Sequence, residues 1–373
     1  MRLKLSIFIA KFAALVSKKF LGRSGETIAG RVLLALYPKA ISELAKGKKI
    51  ICVSGTNGKT STTKALVSII SKLGSVATSP SGSNLERGVA AALMAKSEFA
   101  VLEVDELHLS RVIEEAKPKA VLLLNLTRDQ LHRMHEVKRV ADRWAKSASA
   151  SPETLFVGDI DDPFVALALN SAAQSLKISF GGRKHQDGAV CPSCGKYLKW
   201  IRNNYKCACG LSNSNPDVIV ESGSAAFRNA TMANQVGKFF GAKAIAIDEK
   251  SLERSVDQTH KGVKTNIRLT KNPASWTEAL KSVTGDNAVL IVNSREVDGI
   301  DTSWLWDISF AELSGKRIVV CGERALDIAY RLHVEGIEAE ITASFTDAVA
   351  KFESGTSIHV LAAYTAFHEL VNS

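Results

Sequence analysis

Between an apolar run at residues 49–54 and a helical pattern at 60–73 lies Ser54-Gly55-Thr56-Asn57-Gly58-Lys59-Thr60. Two glycines so close together let the backbone bend until its N–H groups face phosphate oxygens, and the N-terminus of the following helix adds partial positive charge. At this spacing Lys59 reaches towards β- and γ-phosphates, and the Thr60 hydroxyl is placed to bind Mg²⁺. The common form of such a loop has glycine at position 53, where this chain has Val53, so this is a shortened variant, Gly-Thr-Asn-Gly-Lys-Thr. A glycine-rich turn without a nucleotide is the plain alternative, and the strand-loop-helix context argues against it.

A second cluster is built from cysteine. Of six cysteines, four fall together at Cys191, Cys194, Cys207 and Cys209, while Cys52 and Cys321 stand alone in apolar, strand-like runs. Clustering of this kind suits a metal site, whereas a disulfide framework spreads its cysteines. Four free surface thiols are the alternative. A reducing, cytoplasmic compartment follows, with Cys52 and Cys321 as buried strand thiols.

These groups need a scaffold. Residues 49–54, 99–104 and 120–124 read as buried strands, each followed by a polar loop, and 155–157 and 178–180 are two more strand candidates. Strands alternating with helices predict an α/β fold with a mostly parallel, doubly wound sheet, whose ligands bind at the carboxyl ends of the strands. Residues 181–216, rich in Gly, Asn, Lys and Cys, break the rhythm and read as an insertion. A helix is expected over 230–240. After Lys261 a second α/β unit begins, with strands at 265–269, 288–293, 317–321 and 357–362, which puts a boundary near Gly262. The expected domains are therefore an N-terminal helical segment at 1–46, a central domain at 47–262 with its insertion at about 183–214, and a C-terminal α/β domain at 263–373.

Composition sets the outer limits. The 373 residues carry 48 Lys plus Arg against 38 Asp plus Glu, a formal charge of +10, with 46% apolar residues. That excludes a disordered chain, and the length supports large cores without disulfides. The excess of base suits an anionic ligand, an anionic membrane surface or nucleic acid, without choosing among them. At the N-terminus, Lys11 interrupts the apolar run and no small-residue cleavage site follows, so a signal peptide is rejected. The stretch is also too short and charged to span a bilayer. Lys4, Lys11 and Lys18 recur at heptad spacing among Leu5, Phe8, Phe12, Leu15 and Val16, a basic amphipathic helix. Packing on its own domain is the simpler role for that helix; contact with the inner face of a membrane is the other.

The shortened glycine loop resembles that of the Mur ligase superfamily, and further segments agree from about residue 21 to 366. Gly82-Ser83-Asn84-Leu85 with Arg87-Gly88 is similar to that family's second loop. Leu102-Glu103-Val104-Asp105-Glu106 is similar to the strand end that supplies an acidic Mg²⁺ ligand. Asn125-Leu126-Thr127-Arg128-Asp129-Gln130-Leu131 resembles a segment of one branch, MurT. Asp161-Asp162-Pro163 and Phe180-Gly181 look like later nucleotide-side loops, and Asn229 like the adenine-side asparagine. Three features point to the MurT branch: the four cysteines, which look like an inserted zinc ribbon able to bind Zn²⁺ tetrahedrally; Lys271-Asn272-Pro273-Ala274; and the string from Asp298-Gly299-Ile300-Asp301-Thr302 to Ser303-Trp304-Leu305-Trp306-Asp307. The chain departs from that branch in its Cys-x-Cys second pair, in His132 and Met134-His135, in residues 255–265, which lack a Gly-Arg-x-Glu motif, and in residues 293–297. Gln130 stands where other Mur ligases carry a metal-binding histidine.

The resemblance implies an ATP-dependent carbon-nitrogen ligase that amidates the α-carboxyl of D-glutamate in the lipid II stem peptide through an acyl phosphate. It implies ATP, Mg²⁺ and Zn²⁺ as cofactors and a GatD-type glutamine amidotransferase as a heterodimeric partner. Lys59 would be catalytic. Gly55, Thr56, Asn57, Gly58, Lys59, Thr60, Asn84, Glu103, Glu106 and Asn229 would bind nucleotide, with Thr60 and Glu103 on Mg²⁺. Cys191, Cys194, Cys207 and Cys209 would hold zinc. An aspartate of the C-terminal string, Asp301 first, then Asp298, then Asp307, would orient the partner's catalytic histidine; helix capping is the structural alternative. Two other functions remain open at this point. One is an amino-acid-adding ligase of muramyl or folylpolyglutamate type. The other is nucleic-acid binding through the ribbon, which offers Trp200, Tyr197 and Tyr205 but no extended basic run.

Overall fold

The computed structural model describes residues 2–21, 25–79, 83–129, 137–221, 223–246 and 255–372. Gly82, Gln130, Leu131, His132, Met134 and His135 lie outside the described residues. The chain forms two compact units, Met1–Thr127 with Val137–Leu252, and Arg128–Glu136 with Glu253–Ser373.

The first unit opens with three helices, α1 (Arg2–Leu21), α2 (Gly25–Leu36) and α3 (Ala40–Ala45), and then alternates. β1 (Lys49–Ser54), α4 (Lys59–Ile70), β2 (Val76–Ala77), α5 (Glu86–Leu93), β3 (Phe99–Glu103), α6 (Leu109–Ala116) and β4 (Ala120–Leu123) lead to α7 (Val137–Ser149), β5 (Leu155–Asp159), α8 (Pro163–Ser171) and β6 (Gln174–Ser179). A small hairpin, β7 (Lys199–Ile201) and β8 (Asn204–Lys206), precedes β9 (Val218–Ile219) and α9 (Ala225–Phe239). The sheet runs β2-β3-β1-β4-β5-β6-β9 and every pair in it is parallel. Helices cover both faces, so β1, β3 and β4 are buried on both sides and read as continuous apolar runs. α7 shows the matching helical pattern, burying Val137, Val140, Ala141, Trp144 and Ala148. The cysteine-bearing insertion leaves the sheet after β6 and returns at β9, its parallel neighbour.

The second unit contains β10 (Ser255–His260), β11 (Val263–Leu269), α10 (Pro273–Lys281), β12 (Asn287–Ile291), two 3₁₀ turns at Ser303–Asp307 and Ala311–Leu313, β13 (Arg317–Cys321), α11 (Ala325–Val334), β14 (Ala339–Ile341), α12 (Phe345–Val349), β15 (Ser357–Ala362) and α13 (Tyr364–Asn372). Its sheet runs β10-β11-β15-β12-β13-β14; β10 pairs antiparallel with β11 and the remaining pairs are parallel. Lys261 (φ 49°) and Gly262 (φ 80°) form the two-residue turn of that hairpin, both left-handed as a mirror-type hairpin turn requires. Trp276, Trp304, Phe310 and Leu290 fill the core on one face of this sheet, and Ile267, Val360 and Phe367 fill the other.

Candidate functional site

Strand order decides what meets in the first unit. With β1 between β3 and β4, the loops after these strands emerge side by side at the carboxyl end of the sheet, the usual place for a ligand in a parallel α/β fold. The β1 loop is tied to the β4 loop by reciprocal bonds. Thr56 N donates to Asn125 O (2.9 Å), Asn57 N to Asn125 Oδ1 (3.0 Å), and Asn125 Nδ2 to Asn57 O (2.9 Å). Thr56 Oγ1 donates to Thr127 O (3.1 Å) and accepts from Thr127 N (3.0 Å). Asn125 and Thr127 thus set the loop's shape, a role their place in the sequence motif did not reveal.

Two glycines make that shape attainable. Gly55 has φ +143°, and a Cβ there would lie 2.9 Å from Asn125 O. Gly58 caps α4 in the left-handed region (φ +85°), and a Cβ would lie 2.1 Å from Asn229 Nδ2. Asn229, from α9, therefore sits directly against the loop. Thr62 N and Oγ1 donate to Gly58 O (3.0 and 2.8 Å), closing the first helical turn.

The loop's Lys59 and Thr60 each meet a glutamate. Lys59 Nζ donates to Glu106 Oε2 (2.8 Å) and to the carbonyls of Gly55 and Thr56, all buried. Thr60 Oγ1 donates to Glu103 Oε1 (3.2 Å) at the end of β3. Trp144 Nε1 donates to Glu106 O (3.0 Å), and Asp105 N to Asn84 O (2.8 Å), which brings Asn84 beside the same acidic loop. Oxygens 3.2 Å apart suit neighbouring positions around Mg²⁺, where octahedral coordination at about 2.1 Å spaces them by about 3.0 Å. Thr60 and Glu103 fit that ion. Glu106 is committed to Lys59 and keeps the ammonium over the loop.

The four cysteines converge. Their Sγ atoms lie within 4.8 Å of one another, with Cys191 to Cys209 at 3.6 Å and Cys194 to Cys207 at 3.4 Å. A tetrahedral zinc site with Zn–S of about 2.3 Å needs sulfurs about 3.8 Å apart, so the cluster has the right size, and the Cys-x-Cys spacing does not prevent it. Two tight turns present the thiols: Gly195 N donates to Cys191 O (2.9 Å) and Gly210 N to Cys207 O (3.0 Å), with both glycines at positive φ. The Leu211 N–H holds the Cys209 thiol down at about 6, whereas burial pushes Cys191 up to about 12. A divalent cation would offset the cost of ionising both.

Beneath the ribbon is a buried polar cluster that the sequence did not announce. Asp162 caps α8, accepting from Phe164 N (2.9 Å) and Val165 N (3.3 Å); it also accepts from Leu126 N (2.9 Å) and from His185 Nε2 (3.2 Å). Burial alone would raise the Asp162 carboxyl, but His185, the Leu126 N–H and Arg183 hold it below the usual carboxylate range. Asp187 N lies 3.2 Å from His185 Nδ1; burial alone would lower the His185 pKa, but the adjacent Asp162 carboxylate holds it above the usual imidazole value. Asp161 accepts from Ser179 Oγ, Phe180 N, Gly182 N and Asn213 Nδ2, and Asp159 accepts from Arg183 Nη1 (2.6 Å). Asp161 and Asp162, expected in a nucleotide-side loop, have their oxygens turned to these structural partners.

In the second unit the aspartates of the 298–307 string separate by environment. Asp298 is buried and accepts from Thr365 N (2.8 Å), Thr365 Oγ1 (2.7 Å) and Arg295 N (3.3 Å). Asp301 is exposed, and its Oδ1 accepts from Ser303 N (2.8 Å) at the start of the first 3₁₀ turn. Asp307 pairs with Arg128 (3.0 Å). Trp304 is buried against Trp276, while Trp306 stays exposed with Arg331 over its ring. The Lys271-Asn272-Pro273 segment is a helix start: Asn272 and Ser275 form a capping box with Pro273 in the first turn, and Lys271 Nζ donates to Asp129 Oδ2 (2.8 Å).

A parallel sheet with a phosphate-type loop, followed by a second parallel-rich sheet, is the architecture of Mur ligases, and the Mur ligase middle domain family matches residues 53–208. A pseudomurein peptide ligase type C from Methanothermus fervidus has the same fold, with a TM-score of 0.63 at 17% identity, covering 87% of this chain and 79% of that one. The MurT ligase C-terminal family matches residues 269–367, which include the 298–307 string. Lipid II isoglutaminyl synthase (glutamine-hydrolyzing) subunit MurT from Streptococcus pneumoniae is 29% identical, over 95% of this chain and 93% of that protein. The protein of that name from Staphylococcus aureus is 27% identical, over 91% and 90%. Residues 53–208 thus match a Mur ligase middle domain and residues 269–367 a MurT ligase C-terminal domain, and over more than nine-tenths of its length the chain is similar to proteins named MurT.

Proposed function

We propose that this chain is the ligase subunit of a lipid II isoglutaminyl synthase, converting the α-carboxyl of D-glutamate in the stem peptide of lipid II to an amide. The observation that carries the reading is the joint arrangement of Gly55, Gly58, Lys59, Thr60 and Glu103 at the carboxyl end of the sheet, in a chain whose residues 269–367 match the MurT ligase C-terminal family. A carboxylate does not react with ammonia at neutral pH, because oxide is a poor leaving group. Transfer of the ATP γ-phosphoryl group to a carboxylate oxygen gives an acyl phosphate; ammonia then attacks the carbonyl carbon and phosphate departs. Such phosphoryl transfer needs positioning and charge neutralisation more than covalent help from the protein. Loop N–H groups and Lys59 would neutralise the phosphates, and Thr60 with Glu103 would hold Mg²⁺, which supplies further positive charge. Glu106 would keep Lys59 oriented.

Nitrogen would come from a GatD-type glutaminase. The related MurT proteins are named as subunits. Burial pushes the Cys52 and Cys321 thiols up to about 12, which makes them poor nucleophiles, and the other four cysteines face one another. The ribbon would bind one Zn²⁺. Mass spectrometry of lipid II after incubation with ATP, glutamine, this chain and a co-expressed glutaminase tests the reading. The carboxylate-to-amide mass change is expected, and Lys59→Ala should slow it by about 10²-fold or more. A product extended by an amino acid, or full turnover by Lys59→Ala, would overturn it.

A further inference from the structure

α1 has two distinct sides. One packs on α2 through small buried residues, Ser6, Ala10 and Ser17. The other presents Leu5, Phe8, Ile9, Phe12, Leu15 and Val16 outward, with Phe8 68% and Leu15 67% exposed. At about 100° per residue these six positions fall in a stripe about 120° wide, and no polar residue between positions 5 and 16 interrupts it. A helix that only served to cover its own domain would turn polar side chains to water on this side. Lys4 and Lys11 are exposed along one edge of the stripe, Lys18 continues that row in the sequence, and the helix contains no acidic residue. No described helix is long and apolar enough to cross a membrane.

An apolar stripe beside a purely cationic edge is complementary to an anionic phospholipid surface, with acyl chains beneath a layer of phosphates. We propose that α1 lies flat in the interface of an anionic bilayer, with Leu5, Phe8, Phe12 and Leu15 among the acyl chains and Lys4 and Lys11 at the phosphates. The formal charge of +10 on the whole chain acts in the same direction. This inference stands on α1 alone and does not rest on the ligase reading; a ligase acting on a lipid-linked substrate would gain by such anchoring.

Co-sedimentation of the full chain with vesicles tests it. Binding is expected to vesicles of phosphatidylcholine mixed with phosphatidylglycerol, weakening as salt is added, with much less binding to phosphatidylcholine alone. Phe8→Ser/Phe12→Ser, which touches only exposed side chains, should lower binding by about tenfold or more, and Lys4→Glu/Lys11→Glu should do likewise on anionic vesicles. The proposal is overturned by absence of vesicle binding, by equal binding to both compositions, or by undiminished binding of either variant. It is also overturned if Phe8→Ser/Phe12→Ser splits a homodimer or releases a co-purified subunit, because the stripe would then be a protein interface.

Discussion

Replacing Gly58 by alanine isolates what the glycine loop requires. The residue sits at φ +85° and ψ −3°, a left-handed conformation that costs an L-residue about 1–2 kcal/mol. The new Cβ would also lie 2.1 Å from Asn229 Nδ2, far inside contact distance. That neighbour is the tip of a half-buried side chain, so it can swing away, at an off-rotamer cost of about 0.5–1.5 kcal/mol. The sum is about 1.5–3.5 kcal/mol. If the whole amount falls on the phosphate-cradling conformation, affinity for Mg²⁺-ATP drops by about 12- to 300-fold. Calorimetric titration with Mg²⁺-ATP reads that loss, and urea unfolding reads the part that appears as stability. Asn229→Ala in the Gly58→Ala background removes the overlap but leaves the φ penalty, so it should restore about a third of the lost stability. Rescue is read from the urea midpoint, because Asn229 is itself a candidate nucleotide contact. Wild-type affinity and midpoint in Gly58→Ala would refute the tight-loop reasoning, and a double variant no more stable than the single one would remove Asn229 from it.

Two further outcomes follow from the cysteine cluster and the aspartates. Zinc should be found at one ion per chain, and chelation should raise hydrogen exchange in the insertion while the parallel sheet keeps its protection; a metal-free protein with four freely titrating thiols would remove the site. Thiolates bind the ion and protons compete for them, so release should increase as pH falls and steepen below about 6, where Cys209, held down by the Leu211 N–H, also takes up a proton; a chromogenic chelator would follow it. Asp298→Asn leaves Thr365 and Arg295 donors short of acceptors and should cost about 1–3 kcal/mol in urea unfolding. Asp301→Asn keeps an acceptor for Ser303 N in an exposed position and should be nearly neutral in stability. Loss of glutamine hydrolysis in the Asp301→Asn complex, with amidation preserved on supplied ammonia, would assign it the triad role; unchanged hydrolysis would leave it a turn residue.

What the sequence disclosed follows from where each signal lies. Strands β1, β3, β4, β13 and β15 are buried and apolar, so their ends were legible to within a residue or so. β10, Ser-Val-Asp-Gln-Thr-His, is half-exposed and carries little apolar pattern; its clue was the Lys261-Gly262 turn, which reads equally well as a boundary. β2 and β9 have two residues each and exist only because a longer neighbour offers its edge. The cysteine cluster was legible because metal ligands need fixed spacing. The ranking of Asp298 and Asp301 rested on position within a motif, and position says nothing of burial: one carboxylate is enclosed by Thr365 and the other faces solvent.

Asp161 and Asp162, which the sequence suggested for a nucleotide-side loop, sit with Asp159 in a buried network whose partners the sequence does not place. Three acids close together after a parallel strand resemble ligand-binding groups, and the sequence alone offers no other partners. Those partners come from the insertion. Asn213 donates to Asp161, His185 to Asp162 and Arg183 to Asp159, while Tyr205 Oη donates to Ile160 O (2.9 Å) between them. Each acid would be costly to bury without these donors. On the other side, Asp162 accepts from Leu126 N, one residue from the Thr127 that clasps Thr56 of the glycine loop. The ribbon therefore supplies hydrogen bonds to the same aspartate that fixes the β4 loop, and Cys191 packs with Ile160 in the same small core. A metal that orders the ribbon would order these donors with it. On this geometry the insertion is a buttress for the strand ends around the loop, which gives four cysteines a structural reason to sit in a domain whose chemistry needs none of them.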